Sequence, residues 1–218
     1  MTTLSKLKVS VDSWLARDDV AVSNSDFPQI LLLAESDISR DVHTLMQQAS
    51  VTLNFTDREA DLPYNFLELR NVFIDDNVRK TEYMTVEAIR ESSVWAKGRS
   101  GSFYTLEGNL TVPGDERVKV VIASPASASA PLSMEVLYKA RFAALVADPD
   151  TNWLLTNHYD IYLYSTLRAA CEYIQEYEFE DRYMAKYERA IEKQVKHENR
   201  KRFGAMPKQA YADARGVV

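Results

Sequence analysis

The hydrophobic pattern changes period twice along the chain, from helical to alternating and back to helical. Leu4, Leu7, Val11 and Trp14 recur at 3-4-3 spacing, which predicts a short first helix, apolar on one face, that stops at Arg17-Asp18-Asp19. Asp26 stands where a cap would, and Pro28 falls in the first turn, where its missing N–H costs nothing. The second helix predicted there carries Phe27, Leu31, Ala34, Ile38, Val42, Leu45 and Ala49 on its inner side and runs to about Ala49.

From Val51 the period becomes two. Val51, Leu53 and Phe55 alternate with polar residues, as a half-buried strand does. Strands follow at 68–74 and 78–83 around the polar turn Asp75-Asp76-Asn77, and a short helix capped by Thr85 reaches about Glu91. Phe103 to Glu107 and Leu110 to Val112 predict a hairpin around Gly108-Asn109. Val118, Val120 and Ile122 alternate again, as do Leu132, Met134, Val136 and Tyr138. Between them the Ala/Ser/Pro run 124–131 reads as an exposed, mobile loop.

The last third returns to helical spacing. A helix is predicted from Asn152-Trp153 to about Tyr177, with Leu163, Leu167, Ala170, Ile174 and Tyr177 as a stripe that Tyr162, Ala169 and Tyr173 widen. Between Ile161 and Ile174 only Arg168 and Glu172 are charged, and they share one narrow strip with Ser165 and Glu176. Trp153 is expected to anchor the start of this helix against the strands. A final helix starts near Glu178, its inner face made by Phe179, Tyr183, Tyr187 and Ala190 with Met184, Ile191 and Val195. Lys193, Lys196, Arg200, Lys201 and Arg202 crowd its end, where cations oppose the helix dipole, and Gly204 and Pro207 stop it. The fold class expected is α+β: a bundle of N-terminal (1–49) and C-terminal (149–203) helices with a small antiparallel β region (50–148) inserted between them, and a tail at 204–218.

Composition narrows the function. The 218 residues carry 26 Lys and Arg against 32 Asp and Glu, a net charge of −6, which disfavours grip on a phosphate backbone. Cys171 is the only cysteine, so no intramolecular disulfide can form, and its apolar neighbours mark it as a small core residue in a reducing cytoplasm. No apolar run is long enough to predict a signal peptide or a membrane span, so the sequons at Asn54 and Asn109 read as chance.

Catalytic candidates are thin. His43, His158 and His197 have no His or Cys at ligand spacing, which argues against a metal. Gly98-Arg99-Ser100-Gly101 has its second glycine one residue too early for a nucleophile elbow, and no phosphate loop or dinucleotide fingerprint occurs, so no cofactor is expected. Glu176, Glu178, Glu180 and Asp181 cluster at a helix junction, where solvation explains them.

Three segments carry a family likeness: Thr151-Asn152-Trp153-Leu154-Leu155-Thr156-Asn157 with the Tyr-Leu-Tyr and Ala169-Ala170 that follow, Leu62-Pro63-Tyr64-Asn65-Phe66-Leu67-Glu68-Leu69-Arg70, and Phe103-Tyr104-Thr105-Leu106-Glu107-Gly108. In order and spacing they resemble the head-to-tail adaptor (connector) proteins of tailed bacteriophages, over about residues 1–200. The resemblance implies a structural virion protein at the head–tail interface, made in the host cytoplasm. It implies a ring of twelve copies beneath the portal that extends the DNA channel without specific DNA binding and receives tail proteins such as nozzle, tube or fibres. Another tail or head-completion protein is the alternative, and an enzyme of unknown type a third. The tail loses helical periodicity after Gly204 yet keeps anchors, so Arg200, Lys201, Arg202, Phe203, Met206, Lys208, Tyr211 and Arg215 are the candidate portal-binding residues.

Overall fold

The computed structural model describes residues 2–15, 26–55, 58–74, 79–91, 103–109, 117–122 and 132–203. The chain forms two compact units, one from residues 1–46 with 142–218, the other from 47–141. Described helices are α1 (Leu4–Leu15), α2 (Phe27–Asp41), α3 (Val86–Glu91), α4 (Trp153–Asn157), α5 (Tyr159–Tyr173) and α6 (Tyr177–Phe203). The described strands are β1 (Gln48–Phe55), β2 (Glu59–Asp61), β3 (Phe66–Ile74), β4 (Arg79–Lys80), β5 (Glu82–Tyr83), β6 (Phe103–Asn109), β7 (Arg117–Ile122) and β8 (Leu132–Ala140). The class is α+β, as the change of period predicts.

In the strand unit two four-stranded sheets have the orders β1-β8-β3-β4 and β2-β7-β6-β5. β8 is central to the first, pairing antiparallel with β1 from Gln48↔Lys139 to Phe55↔Leu132 and with β3 on its other edge. Leu53, Phe55, Val120, Ile122, Met134 and Val136, which alternation assigns to one face, join Leu62, Val72, Ile74 and Tyr104 in the buried cluster. The Leu62–Arg70 segment is a turn into a bulged strand. Leu62 is buried, the Phe66 N–H donates to the Pro63 carbonyl at 2.9 Å, and the β3–β8 register shifts between Phe66 and Glu68 and again between Leu69 and Asn71.

Three strand expectations change. The expected hairpin around Gly108-Asn109 does not form: both residues lie within β6, opposite Val118 and Arg117, so β6 pairs with β7. Leu110 to Val112 lie outside the described residues. The expected strand 78–83 divides, Arg79–Lys80 joining β3 while Glu82–Tyr83 crosses to the second sheet and pairs with β6 in parallel. The buried Thr81 marks the division, its N–H and its hydroxyl both donating to the Val72 carbonyl. Thr85 accepts the Ala88 N–H at 3.2 Å and so caps α3 as expected. The 124–131 run and the Gly98–Gly101 turn lie outside the described residues.

In the helical unit α5 is the central element, packed by α1, α2, α4 and α6. Ala34 of α2 meets Ala169 and Ala170, small residues that let the axes approach, and the Ser165 hydroxyl donates to the Ala34 carbonyl at 3.2 Å. Ser165 therefore belongs to the buried α2 contact, not to the polar strip. Arg168 spans three helices, with Nη1 at 3.0 Å from Asp37 of α2 and Nε at 3.9 Å from Glu180 of α6. Glu180 is thus an ion-pair partner, a better account of it than solvation alone. Cys171 is buried, and burial foremost, with Glu176 and Glu180 adding, pushes its thiol up to about 11, in keeping with a core role.

Helix ends are where periodicity misleads most. α2 stops at Asp41, eight residues before Ala49, because Val42 turns extended and Gln48 to Ser50 are taken by β8. Asp26 holds the N-cap position without a side-chain cap bond, and its carboxylate pairs with the Tyr173 hydroxyl. The predicted helix 152–177 is broken twice. His158 separates α4 from α5, and α5 ends at Tyr173, where Gln175 takes φ 63°. There the Glu176 N–H donates to the Cys171 carbonyl and the Gln175 N–H to the Glu172 carbonyl, a Schellman ending built without the usual glycine. Tyr173 and Tyr177, expected in the stripe, are consequently exposed. On α6 the buried line is Tyr183, Tyr187, Ala190, Gln194 and Glu198, while Phe179, Met184 and Val195 face outward.

Candidate functional site

The Thr-Asn-Trp-Leu-Leu-Thr-Asn run is organised by Asn152. Its Oδ1 accepts the Leu155 N–H at 2.8 Å and caps α4, while its Nδ2 donates to the Ala143 carbonyl at 2.9 Å and to the Tyr162 hydroxyl at 2.7 Å. The Tyr162 hydroxyl donates in turn to Glu35 of α2, whose Oε1 also accepts the Leu145 N–H. Burial foremost raises the Glu35 carboxyl above its usual range, and those two hydrogen bonds oppose it. One amide thus fixes the start of α4, a turn of α5 and the irregular chain from 142 to 152. That chain also completes α1: the Leu4 and Ser5 N–H groups donate to the Asp150 and Asp148 carbonyls, which satisfies two donors at the helix start.

At the other end, α6 holds the segment that follows α2. Gln194 Nε2 donates to the His43 carbonyl at 3.4 Å, and Glu198 Oε2 accepts the Leu45 N–H at 3.1 Å. Both side chains are almost fully buried, a use of polar residues in the inner line that apolar periodicity misses. Lys201 Nζ lies 3.2 Å from Glu198 Oε1 and 5.8 Å from the Trp153 ring centroid. Trp153 stacks on Phe142 at 6.2 Å and packs against the core of the helical unit, so the contacts that anchor it there are helical.

Of the candidate portal-binding residues, Arg200 is exposed on α6 and Lys201 is turned onto Glu198 and Trp153. Arg202 and Phe203 end α6. Met206, Lys208, Tyr211 and Arg215 lie outside the described residues.

His158 and His197, far apart in sequence, come together edge-to-face with centroids 6.3 Å apart, and His158 also lies 5.4 Å from the Trp153 ring. Among the described residues no group of three or more His, Cys, Asp or Glu could hold a metal ion. Burial foremost lowers the His158 pKa, His197 and Lys201 lower it further, and Asp160 and Glu198 oppose them. The folded state therefore resists the proton that the unfolded chain accepts, so stability present above pH 6.5 is lost as pH falls through the folded value. Glu35, with its raised pKa, works the other way: its contribution is present below pH 4.5 and lost as pH rises through the folded value. Urea midpoints should fall between pH 7.5 and about 5.5 more steeply in the parent than in His158→Gln; equal slopes would exclude His158 as the cause.

The family model for SU10 adaptor protein matches residues 2–210. The chain belongs to the SU10 adaptor protein family. The match includes all three segments whose resemblance to phage head-to-tail adaptors is visible in the sequence, and it bears that resemblance out. No curated protein matches the adaptor's sequence. No described helix of the adaptor is long and apolar enough to cross a membrane.

Proposed function

We propose that this adaptor is a non-enzymatic virion component that forms a ring of twelve copies beneath the portal, extends the DNA channel and provides the attachment site for tail components. The observation that carries the reading is the family match along almost the whole chain. Such a ring needs heterologous contacts whose rotation closes. The acidic balance suits it, because DNA must slide through the channel without being held at its phosphates. The basic, anchor-bearing segment from Arg200 to Arg215 docks on the portal, and the protein is made in the host cytoplasm before it joins the virion.

Electron microscopy of the chain co-expressed with its portal tests this. The expected result is a ring of density capping the portal, with twelve-fold averages sharper than those of neighbouring symmetries. A portal left bare while the chain is found along the tail would reject the adaptor position and favour another tail or head-completion role.

A further inference from the structure

At and beside the junction of α5 and α6 the helical unit exposes several aromatic side chains. Tyr177 is 63 % exposed and Phe179 48 %, with Tyr173 and Trp14 also exposed. Beside them lies a cavity of about 70 Å³ whose lining includes Trp14, Ile174, Phe179 and Tyr183. That is well above the roughly 10–15 Å³ one water needs, so a short aliphatic group can enter. The charge along this junction is mostly acidic: Glu172, Glu176, Glu178, Glu180 and Asp181 lie within ten residues, Glu180 is paired with Arg168, and Arg182 follows directly. A cation is already received on the same aromatic surface. The Lys186 ammonium lies 4.9 Å from the Trp14 ring centroid, 5.5 Å from that of Tyr164 and 5.2 Å from that of Tyr183.

We propose that this aromatic, acid-rimmed surface is the adaptor's docking site for a basic segment of a tail protein, with an aliphatic side chain as its anchor. The inference rests on the adaptor reading, and the length of α6 orients it. At about 1.5 Å per residue its 27 residues separate this surface from the basic C-terminal end by about 40 Å. If the C-terminal end meets the portal, the acidic end lies far from it. Charge complementarity then selects a basic partner, and the cavity selects an apolar anchor within it.

The probe is a fluorescein-labelled peptide with two central leucines flanked by Lys and Arg, compared with its Glu-flanked counterpart on the full chain. Saturable, salt-sensitive binding of the basic peptide alone is expected. It should weaken about tenfold or more in Tyr177→Ser/Phe179→Ser and, independently, in Glu178→Lys/Asp181→Lys. These four side chains are exposed, so circular dichroism should be unchanged. In phage complementation the same variants should still cap the portal and leave DNA-filled heads without tails. Equal binding of the two peptides, parent-like binding by both variants, or normally tailed particles would overturn the inference while leaving the adaptor reading intact. Variants that no longer cap the portal would also overturn it, by assigning this surface to the portal; failure of the parent chain to cap the portal would instead reject the adaptor reading.

Discussion

Asn152→Ala should lower the unfolding free energy by about 3 kcal/mol. Losing the N-cap bond to Leu155 accounts for about 1 kcal/mol of this. The rest comes from the Ala143 carbonyl, left without its side-chain donor at about 1–3 kcal/mol for a buried group unpaired, and from the Tyr162 hydroxyl, which loses the donor it accepts from but still donates to Glu35. The three contacts share one amide, so their costs do not simply add. For a chain of this size the melting temperature should fall by about 6–12 °C. Asn152→Asp separates the contributions. It keeps the cap acceptor but presents an acceptor to the Ala143 carbonyl and a second acid towards Glu35, whose carboxyl already resists ionisation. Asp should therefore be no better than Ala at neutral pH and should recover as pH falls, when a protonated carboxyl can donate. A melting temperature for Asn152→Ala within about 2 °C of the parent would remove Asn152 from the centre of the unit.

Period gave the class and most of the interior. Leu4, Leu7 and Val11, the α2 face from Phe27 to Ile38, and Leu53, Phe55, Val120, Ile122, Met134, Val136 and Tyr138 of the alternating strands are buried where their spacing places them, with Val51, Val118 and Leu132 half-buried. Element ends were less legible because they are set by partners distant in sequence. α2 stops where Gln194 and Glu198 satisfy the backbone of the following segment, and residues 48–50 pair with β8, about 90 residues later. Gln175 at φ 63° ends α5 although the residue most used for such an ending is glycine. The site followed the same rule. The Thr-Asn-Trp-Leu-Leu run stood out as a pattern, but the bonds from Asn152 to Tyr162 and on to Glu35 depend on α2 crossing α5, which no local window contains. Likewise His158 and His197 look isolated in sequence and meet only because α6 folds back along the bundle.

Deleting residues 204–218 should abolish co-purification with the portal and leave the helical unit stable. The stability half follows from where α6 is held. Tyr187 donates to Asp41, Gln194 to His43, and Glu198 accepts from Leu45, all before residue 204. Lys201, the last cation with a described partner, retains Glu198 and Trp153. The melting temperature should therefore change by no more than about 2 °C. The binding half follows from the chemistry removed, Met206 and Tyr211 with Lys208 and Arg215, a pairing of apolar anchors with charge that a solvated end has little use for. Arg200→Ala, which removes one exposed charge and no anchor, should weaken portal binding only slightly and more at low salt than at high. If the truncated chain still captures the portal as tightly as the full chain, docking belongs to the helices or to the strand unit. The aromatic surface at the α5–α6 junction would then lose the argument from distance that turns it towards the tail, and would have to stand on its peptide binding alone.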